Sequence, residues 1–533
     1  MAVLAAVVAA AARRSGDEPP LRSFAEQACG LPSAWLERIR RGHYGPRSGD
    51  ISLLPRRPAY FASGAGGWSH SGPWPYLAHV PLVFYGPEVI RARGHVHRSA
   101  TLADVAPTVA GLLGARVPGA DGEVLPEVAG VGRPARSPRP RLVVVVVWDG
   151  GGWNVLDHFP GAWPNLRRLM AVGVTYRNAT VGSSPSVTPS VHTTLGTGQF
   201  PSAHGITGIP VRNDDGEVVD SFLHGRSGRF LRVPTFAERW DERFGNRARV
   251  GMVGYEPWHL GMIGRGAERA GGDRDDAVWL DVETNRWETN AAHYRLPPAL
   301  PRTTGLARDI HETDAVDGEV DGAWRDHAIL TDPARREELP GFIRYHGRAL
   351  ENVITSEGYG DDRVTDLLFT NFKQIDRVGH YFNMDSVEVR DSVVVSDEVL
   401  GDLVSFLDDE VGSGRYVVVV TADHGQQPDA GAVDGYGIDP NEVERDLAAE
   451  FGDVVRGVWP TEVFLLSDAM AERGVSAAEV ARFLGDYRLA DNTRRPDIAL
   501  VGAGRFEPDD RLFDMAVPSA MLRGLRCGRH ADG

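Results

Sequence analysis

The sequence predicts an α/β protein: a three-layer α/β/α sandwich around a mostly parallel central sheet, with inserted subdomains. Three observations predict it. Short apolar runs alternate along the chain with segments of helical period. The runs are rich in valine with little polar alternation, as strands covered on both faces require. Three of them end in Asp or His, at the strand ends beyond which open α/β sheets bind their ligands.

In chain order, the first run is His79–Val89 (HVPLVFYGPEV), followed by a helical pattern over Thr101–Leu113. Val117–Arg141 contains VPGADG and GVGRPARSPRPR and reads as a linker, because Pro and Gly interrupt both periods. Next come the strand run Arg141–Gly151 (RLVVVVVWDGG) and helical patterns over Trp163–Val172 and Pro234–Phe244. The run Val364–Asp376 (VTDLLFTNFKQID), a helix over Val389–Val411 and the run Arg415–Gly425 (RYVVVVTADHG) complete the alternation. Two stretches read as additions to the sheet: about Asp214–Pro340, and Pro428–Val501 with its strand–helix set TEVFLLSD and SAAEVARFLGDY. There is no internal repeat.

At 533 residues the chain has room for about three units of roughly 150 residues, or one large domain with insertions. Its 73 acidic and 57 basic side chains give a net charge of −16, which excludes a general grip on polymeric nucleic acid. A small anionic substrate is compatible with that balance if metal ions supply positive charge. The two cysteines, Cys29 and Cys527, are too few for a disulfide framework and have no metal-ligand spacing. The longest apolar runs, Met1–Ala12 and Val143–Trp148, are too short to span a bilayer, so no membrane span is expected. The first lacks a preceding basic region, with Arg13 and Arg14 following it, so a cytoplasmic location is expected over secretion.

Asp149, Asp423 and His424 follow valine runs, in WDGGG and TADHG. Burying one carboxylate at a strand end is costly without a partner. A helix cap or salt bridge accounts for a single such Asp, whereas recurrence on separate strands, once with His adjoining, points to metal ligation. In IDRVGHYF, Asp376 ends a strand and His380 lies four residues on, with Gly379 allowing a turn so that both can face one ion. The stretch Ser186–Gly208 (SVTPSVHTTLGTGQFPSAHGITG) is dense in hydroxyls and fits a nucleophile at a helix N-terminus, where backbone N–H groups favour phosphate oxygens. A hydroxyl bound to a divalent ion loses its proton readily, so it requires no neighbouring base.

This set resembles the alkaline phosphatase superfamily, and within it the type I phosphodiesterase/nucleotide pyrophosphatase branch. The resemblance rests on Asp149, on Thr188 to His192 with Thr197-Gly198 and His204-Gly205-Ile206, on Asp376 to His380, and on Asp423-His424-Gly425. It implies an alkaline phosphatase-like fold with two metal sites. One would use Asp149, Thr188, Asp423 and His424; the other Asp376, His380 and a late histidine. Alignment on His192 selects Thr188 as the nucleophile, with Ser186 as the alternative, and Pro189 departs from the pattern by one place. The late histidine is missing downstream of DHG, where only His530 follows.

Residues Pro46–Gly122 are similar to the usual C-terminal part of the superfamily, which implies a circularly permuted catalytic domain with His70 as the third imidazole. His79 and His43 are weaker candidates. The expected organisation is an N-terminal extension (1–40), the permuted part (41–125), a linker (126–140), the catalytic domain (141–427, insertion about 214–340), a small α/β subdomain (428–500) and a tail (501–533). Lys373, the only lysine in the chain, lies three residues before Asp376 and is a candidate phosphate contact. Asn213 and Asn178 are candidate phosphate donors, and Trp258 belongs to the core or to a leaving-group pocket.

The implied activity is hydrolysis of a small phosphoester or nucleotide through a covalent phosphothreonine, with two divalent ions. Three imidazoles with aspartates favour zinc, manganese or another divalent ion being the alternative. The alternatives are a phosphomonoesterase and an inactive metal-binding sensor of phosphorylated ligands. A sulfatase requires C/S-x-P-x-R, and TPSVH has no such arginine.

Overall fold

A computed structural model of the chain describes residues 21–63, 67–130, 139–332, 335–493 and 506–527. The apolar run at 1–12, the linker residues 131–138 and His530 lie outside the described residues.

Seven consecutive apolar residues, Leu142–Trp148, form a fully buried strand at the middle of a nine-stranded sheet. Alternate side chains serve two different cores. Val144, Val146 and Trp148 pack with the helices Gly341–Glu357 and Val387–Leu407. Val143, Val145 and Val147 pack with the helices Val105–Leu112, Thr188–Thr197 and Phe236–Arg243. Helices on both faces remove the need for polar alternation, so the all-apolar run and the three layers have one cause.

The strand Leu142–Trp148 pairs in parallel with Asp366–Phe372 on one side and with Tyr416–Thr421 on the other. Beyond Asp366–Phe372 the sheet continues through Val250–Gly254 and Asp276–Asp281, both parallel, to the antiparallel edge strand Arg286–Glu288. On the far side lie Leu82–Tyr85, Val174–Tyr176 and Gly94–Val96. Leu82–Tyr85 runs antiparallel to both of its neighbours, so the VPLVFYG run and the edge strand Arg286–Glu288 are the two reversed strands of this nine-stranded sheet. The insertion about 214–340 therefore contributes three sheet strands and is partly built into the core.

A second, four-stranded antiparallel sheet orders Val455–Trp459, Glu462–Leu465, Ile51–Pro55 and Phe513–Pro518. It draws one strand from near each end of the chain, so the tail and the 41–125 region share this subdomain. The helix Phe24–Cys29 is tied to it by the Gln27 Oε1, which accepts the Ala516 N–H at 2.9 Å. Next to that contact, Cys29 and Cys527 form a disulfide across 498 residues. A count of two cysteines excludes a framework; it does not exclude one bridge, and the folding back of both chain ends brings this pair together. Among the described residues no helix is long and apolar enough to cross a membrane.

A bridge closing so long a loop removes much freedom from the unfolded chain, typically about 2–4 kcal/mol. Cys527→Ser, or reduction of the wild-type protein, is expected to lower the melting temperature by several degrees. A thiol assay on the unreduced, denatured protein is expected to find no free thiol.

Candidate metal centre

The three parallel strands at the middle of the sheet deliver the chemistry at their carboxyl ends. Asp149 follows Leu142–Trp148 directly, and Asp423-His424 lies two residues beyond Tyr416–Thr421. Asp376 is placed differently from expectation. The strand Asp366–Phe372 stops earlier, and Asp376 sits in the first turn of the helix Gln374–Phe382. Asp376 and His380 share a face because a helix brings residues four apart together, not because the chain turns at Gly379. Gly379 is small for another reason: a Cβ there would meet the Gln426 amide oxygen at 1.6 Å.

Each carboxylate divides its two oxygens in the same way. Asp149 Oδ2 accepts from Lys373 Nζ and Asn371 Nδ2, both at 3.0 Å. Asp376 Oδ2 accepts from Lys373 Nζ at 2.8 Å, and Asp423 Oδ1 from the Gly150 N–H at 3.1 Å. The other oxygens, Asp149 Oδ1, Asp376 Oδ1 and Asp423 Oδ2, are buried without a hydrogen bond, as is His424 Nε2. These orphaned atoms face one another. His424 Nε2 lies 3.4 Å from Asp149 Oδ1, 3.4 Å from Asp423 Oδ2 and 3.9 Å from Asp376 Oδ1. His70 Nε2 and His380 Nε2 lie 3.4 and 3.3 Å from Asp376 Oδ1.

Buried carboxylate oxygens and imidazole nitrogens converging in this way are the donor set of divalent-ion sites. They fall into two overlapping groups, Asp149–Asp423–His424 and His70–Asp376–His424. The residues thus fit two divalent ions.

The imidazoles are aimed by their second nitrogens. His70 Nδ1 meets the Ser186 carbonyl at 3.1 Å, and the Ser186 hydroxyl donates to the His70 carbonyl at 3.1 Å. The His70 ring stacks on His424 with centroids 3.6 Å apart, and His424 Nδ1 meets the Gly425 carbonyl at 3.0 Å.

Charge is out of balance inside this cluster. Burial would raise the Asp149 carboxyl, but the Lys373 ammonium overrides it and holds it well below the usual range. Asp423 is pushed up to about 7 by burial and then by the Asp149 carboxylate. Burial opposes charge on His424, yet the Asp423 and Asp149 carboxylates push it up to about 9. The same crowding of buried acids that draws a proton onto His424 is the environment that cations stabilise.

Thr188 opens the helix Thr188–Thr197. Its Oγ1 is 3.3 Å from Lys373 Nζ, beside the cluster. Lys373 in turn lies 6.0 Å from the centre of the Trp258 ring, whose Nε1 donates to Asp220. Asn213 is elsewhere: its amide holds the turn between strands Pro210–Arg212 and Val218–Asp220, with Oδ1 accepting from Asp215 and Glu217 N–H groups. That turn chemistry is common for Asn. Asn178 is likewise engaged with the His97 carbonyl.

Two residues not expected from the sequence stand behind the site. Asn371 bridges Asp149 to His192, donating to His192 Nε2 at 3.0 Å, and His192 Nδ1 donates to the Thr188 carbonyl at 2.7 Å. The Asn in NFKQID was the available signal, as an amide inside an apolar strand run requires buried partners.

A mostly parallel α/β/α sheet carrying this donor set and hydroxyl defines a metallo phosphoester hydrolase of the alkaline phosphatase superfamily. Within it, the chain belongs to the type I phosphodiesterase/nucleotide pyrophosphatase family, whose model matches residues 143–479. That span contains every residue named above for the centre except His70. The chain is 24% identical over 456 residues to alkaline phosphatase PafA of Elizabethkingia meningoseptica, covering 74% of this chain and 81% of that protein. It is 24% identical over 333 residues to alkaline phosphatase PhoV of Synechococcus elongatus, covering 54% and 59%. The crystal structure of wild-type PafA shares the fold, with TM-score 0.56 and 21% identity over 65% of this chain and 76% of that one.

Gly150 has a φ of +70°, and a Cβ there would lie 2.9 Å from the Asp376 Cα. Gly150→Ala is expected to cost about 1–3 kcal/mol from backbone strain alone. By pressing on Asp376 it is also expected to lower the divalent metal bound per chain, read by elemental analysis after dialysis.

Proposed function

We propose that the protein is a two-metal phosphodiesterase of the nucleotide pyrophosphatase type. The observation that carries this reading is the set of orphaned carboxylate oxygens and the orphaned His424 Nε2 converging beside Thr188. One ion would be held by Asp149, Thr188, Asp423 and His424, and the other by Asp376, His380 and His70; when bound they supply Lewis acidity that acidifies hydroxyl and water and stabilises the leaving oxygen. Zinc suits three imidazoles with aspartates.

The chain's own residues do the rest. The Thr188 hydroxyl is the nucleophile: it gives up its proton, and its oxygen bonds to phosphorus as the bond to the leaving oxygen breaks. That leaving oxygen takes up a proton and departs as the first alcohol. It leaves a threonine phosphodiester that still carries the second alcohol and that water then hydrolyses to the monoester product. Ser186 is disfavoured, because its hydroxyl is spent on the His70 carbonyl. Lys373 meets a non-bridging phosphate oxygen, reaching from between Asp149 and Asp376. Burial opposes its charge, but those two carboxylates hold the ammonium above its ordinary range, so it stays cationic. His192 and Asn371 hold the Thr188 turn against Asp149.

His70 lies outside the family match, and its position supports a permuted catalytic domain in which a segment preceding the first catalytic strand supplies the third imidazole. The monoesterase reading is kept by one observation: PafA and PhoV are both named alkaline phosphatases. The Cys29–Cys527 bridge supports an oxidising compartment over the cytoplasm expected from the sequence.

Thr188→Ala is expected to reduce hydrolysis by at least about 10³-fold while leaving two metal ions bound, whereas Ser186→Ala stays active. The kcat/KM for bis-p-nitrophenyl phosphate is expected to exceed that for p-nitrophenyl phosphate; the reverse order selects the monoesterase. His70→Ala is expected to lose one of the two ions, and an unchanged metal count removes His70 from the site.

A further inference from the structure

Outside the catalytic centre, three acids meet on the face of the sheet that also carries the Thr188 helix. Asp241 belongs to the helix Phe236–Arg243, and Asp273 and Asp275 lie on the loop running into the strand Asp276–Asp281. One carboxylate oxygen from each lies within 4.8 Å of the others. The Asp241 and Asp275 side chains are buried, and Asp273 is exposed. Asp241 is only 4% exposed, and its Oδ1 is buried with no hydrogen-bond partner. The Ala248 N–H reaches the same carboxyl.

Among the described residues no basic side chain forms an ion pair with this cluster. The guanidinium that acts on Asp241 is that of Arg269, and it is drawn away to Glu242 Oε2 at 3.2 Å and the Glu238 carbonyl at 3.4 Å. Arg295 pairs with the neighbouring Asp276 at 2.7 Å and with Glu357 at 2.8 Å. Burial and the Asp273 carboxylate push Asp241 up to about 7, and burial with the Asp241 carboxylate pushes Asp275 well above its ordinary range. Three carboxylates held this close repel one another unless a cation or protons join them.

We propose that Asp241, Asp273 and Asp275 bind one hard divalent cation of the calcium class, separate from the catalytic pair. The donors are all oxygen, with no imidazole or thiolate to favour zinc, and one of them is a loop residue open to solvent through which an ion can enter. Such an ion ties the helix Phe236–Arg243 to the start of the strand Asp276–Asp281. Between them in sequence runs the segment Pro257–Met262, which lies directly on the Thr188 helix: a Cβ on Gly261 would meet Thr193 Oγ1 at 2.2 Å. The cation therefore braces the wall against which the nucleophile helix is packed.

The test uses the full-length protein with zinc already loaded, in buffer freed of calcium by a chelating resin. Terbium is the probe, because Trp240 adjoins Asp241 and can sensitise its luminescence. The expected result is one terbium per chain, displaced by calcium, and a rise in melting temperature of about 3 °C with saturating calcium. Asp241→Asn with Asp275→Asn is expected to abolish both effects while zinc stays at two per chain. Without calcium this double variant is expected to melt no lower than wild type, since the repulsion is gone, a result that a purely structural role for the carboxylates would not give. If it fails to fold, the exposed Asp273→Asn is expected to weaken terbium binding at least tenfold. Equal terbium binding by wild type and variant, or no calcium shift in the wild type, overturns the proposal.

Discussion

Three buried carboxylates, two just past the ends of parallel strands and one in the helix turn that follows the strand between Leu142–Trp148 and Val250–Gly254, set the terms for the rest of this protein. Asp149, Asp376 and Asp423 each give one oxygen to a protein donor and hold the other bare toward His424 or its neighbours. Burying that much negative charge is tolerable only where cations meet it. One cation is built in, the Lys373 ammonium between Asp149 and Asp376. In the proposed function the remaining charge would be balanced by a pair of divalent ions, with the imidazoles of His70, His380 and His424 completing their surroundings.

The fold serves that arrangement through its rigid parts. The strands carrying Asp149 and Asp423, and the one leading to Asp376, are hydrogen-bonded neighbours, so the spacing of the acids follows from strand spacing. The close approaches at Gly150 and Gly379 let loops pass within contact of Asp376 and Gln426. On the other side, Asn371, His192 and the helix carrying Thr188 form a single hydrogen-bonded chain to Asp149, so Thr188 and Asp149, the proposed nucleophile and ligand, are positioned together. The two hydrogen bonds with Ser186 join the His70 segment to that same helix region.

Much of this was legible in the sequence because parallel strands announce themselves as valine runs and ligands gather at their carboxyl ends. Asp149, Asp423 and His424 follow from that rule alone. Asp376 was legible as a residue but not as a position, since nothing in VTDLLFTNFKQID marks where strand gives way to helix. His70 was reached only through likeness of its flanking segment, as a lone histidine in a Gly/Ser/Trp turn carries no period. Asn213, expected as a phosphate donor, holds a turn with its amide oxygen, a use that the sequence does not distinguish from phosphate contact. The Cys29–Cys527 bridge, the Asn371–His192 relay and the Asp241 cluster depend on contacts between residues distant in sequence, which local patterns do not encode.

The central claim is that these side chains surround a pair of ions, with His70 contributing from ahead of the first catalytic strand. Anomalous diffraction at the zinc edge, on crystals grown with zinc, tests it most directly. The account predicts two strong peaks, one bounded by Asp149, Thr188, Asp423 and His424, the other by Asp376, His380 and His70. A single peak, or a second one with the His70 ring turned away from it, would contradict it.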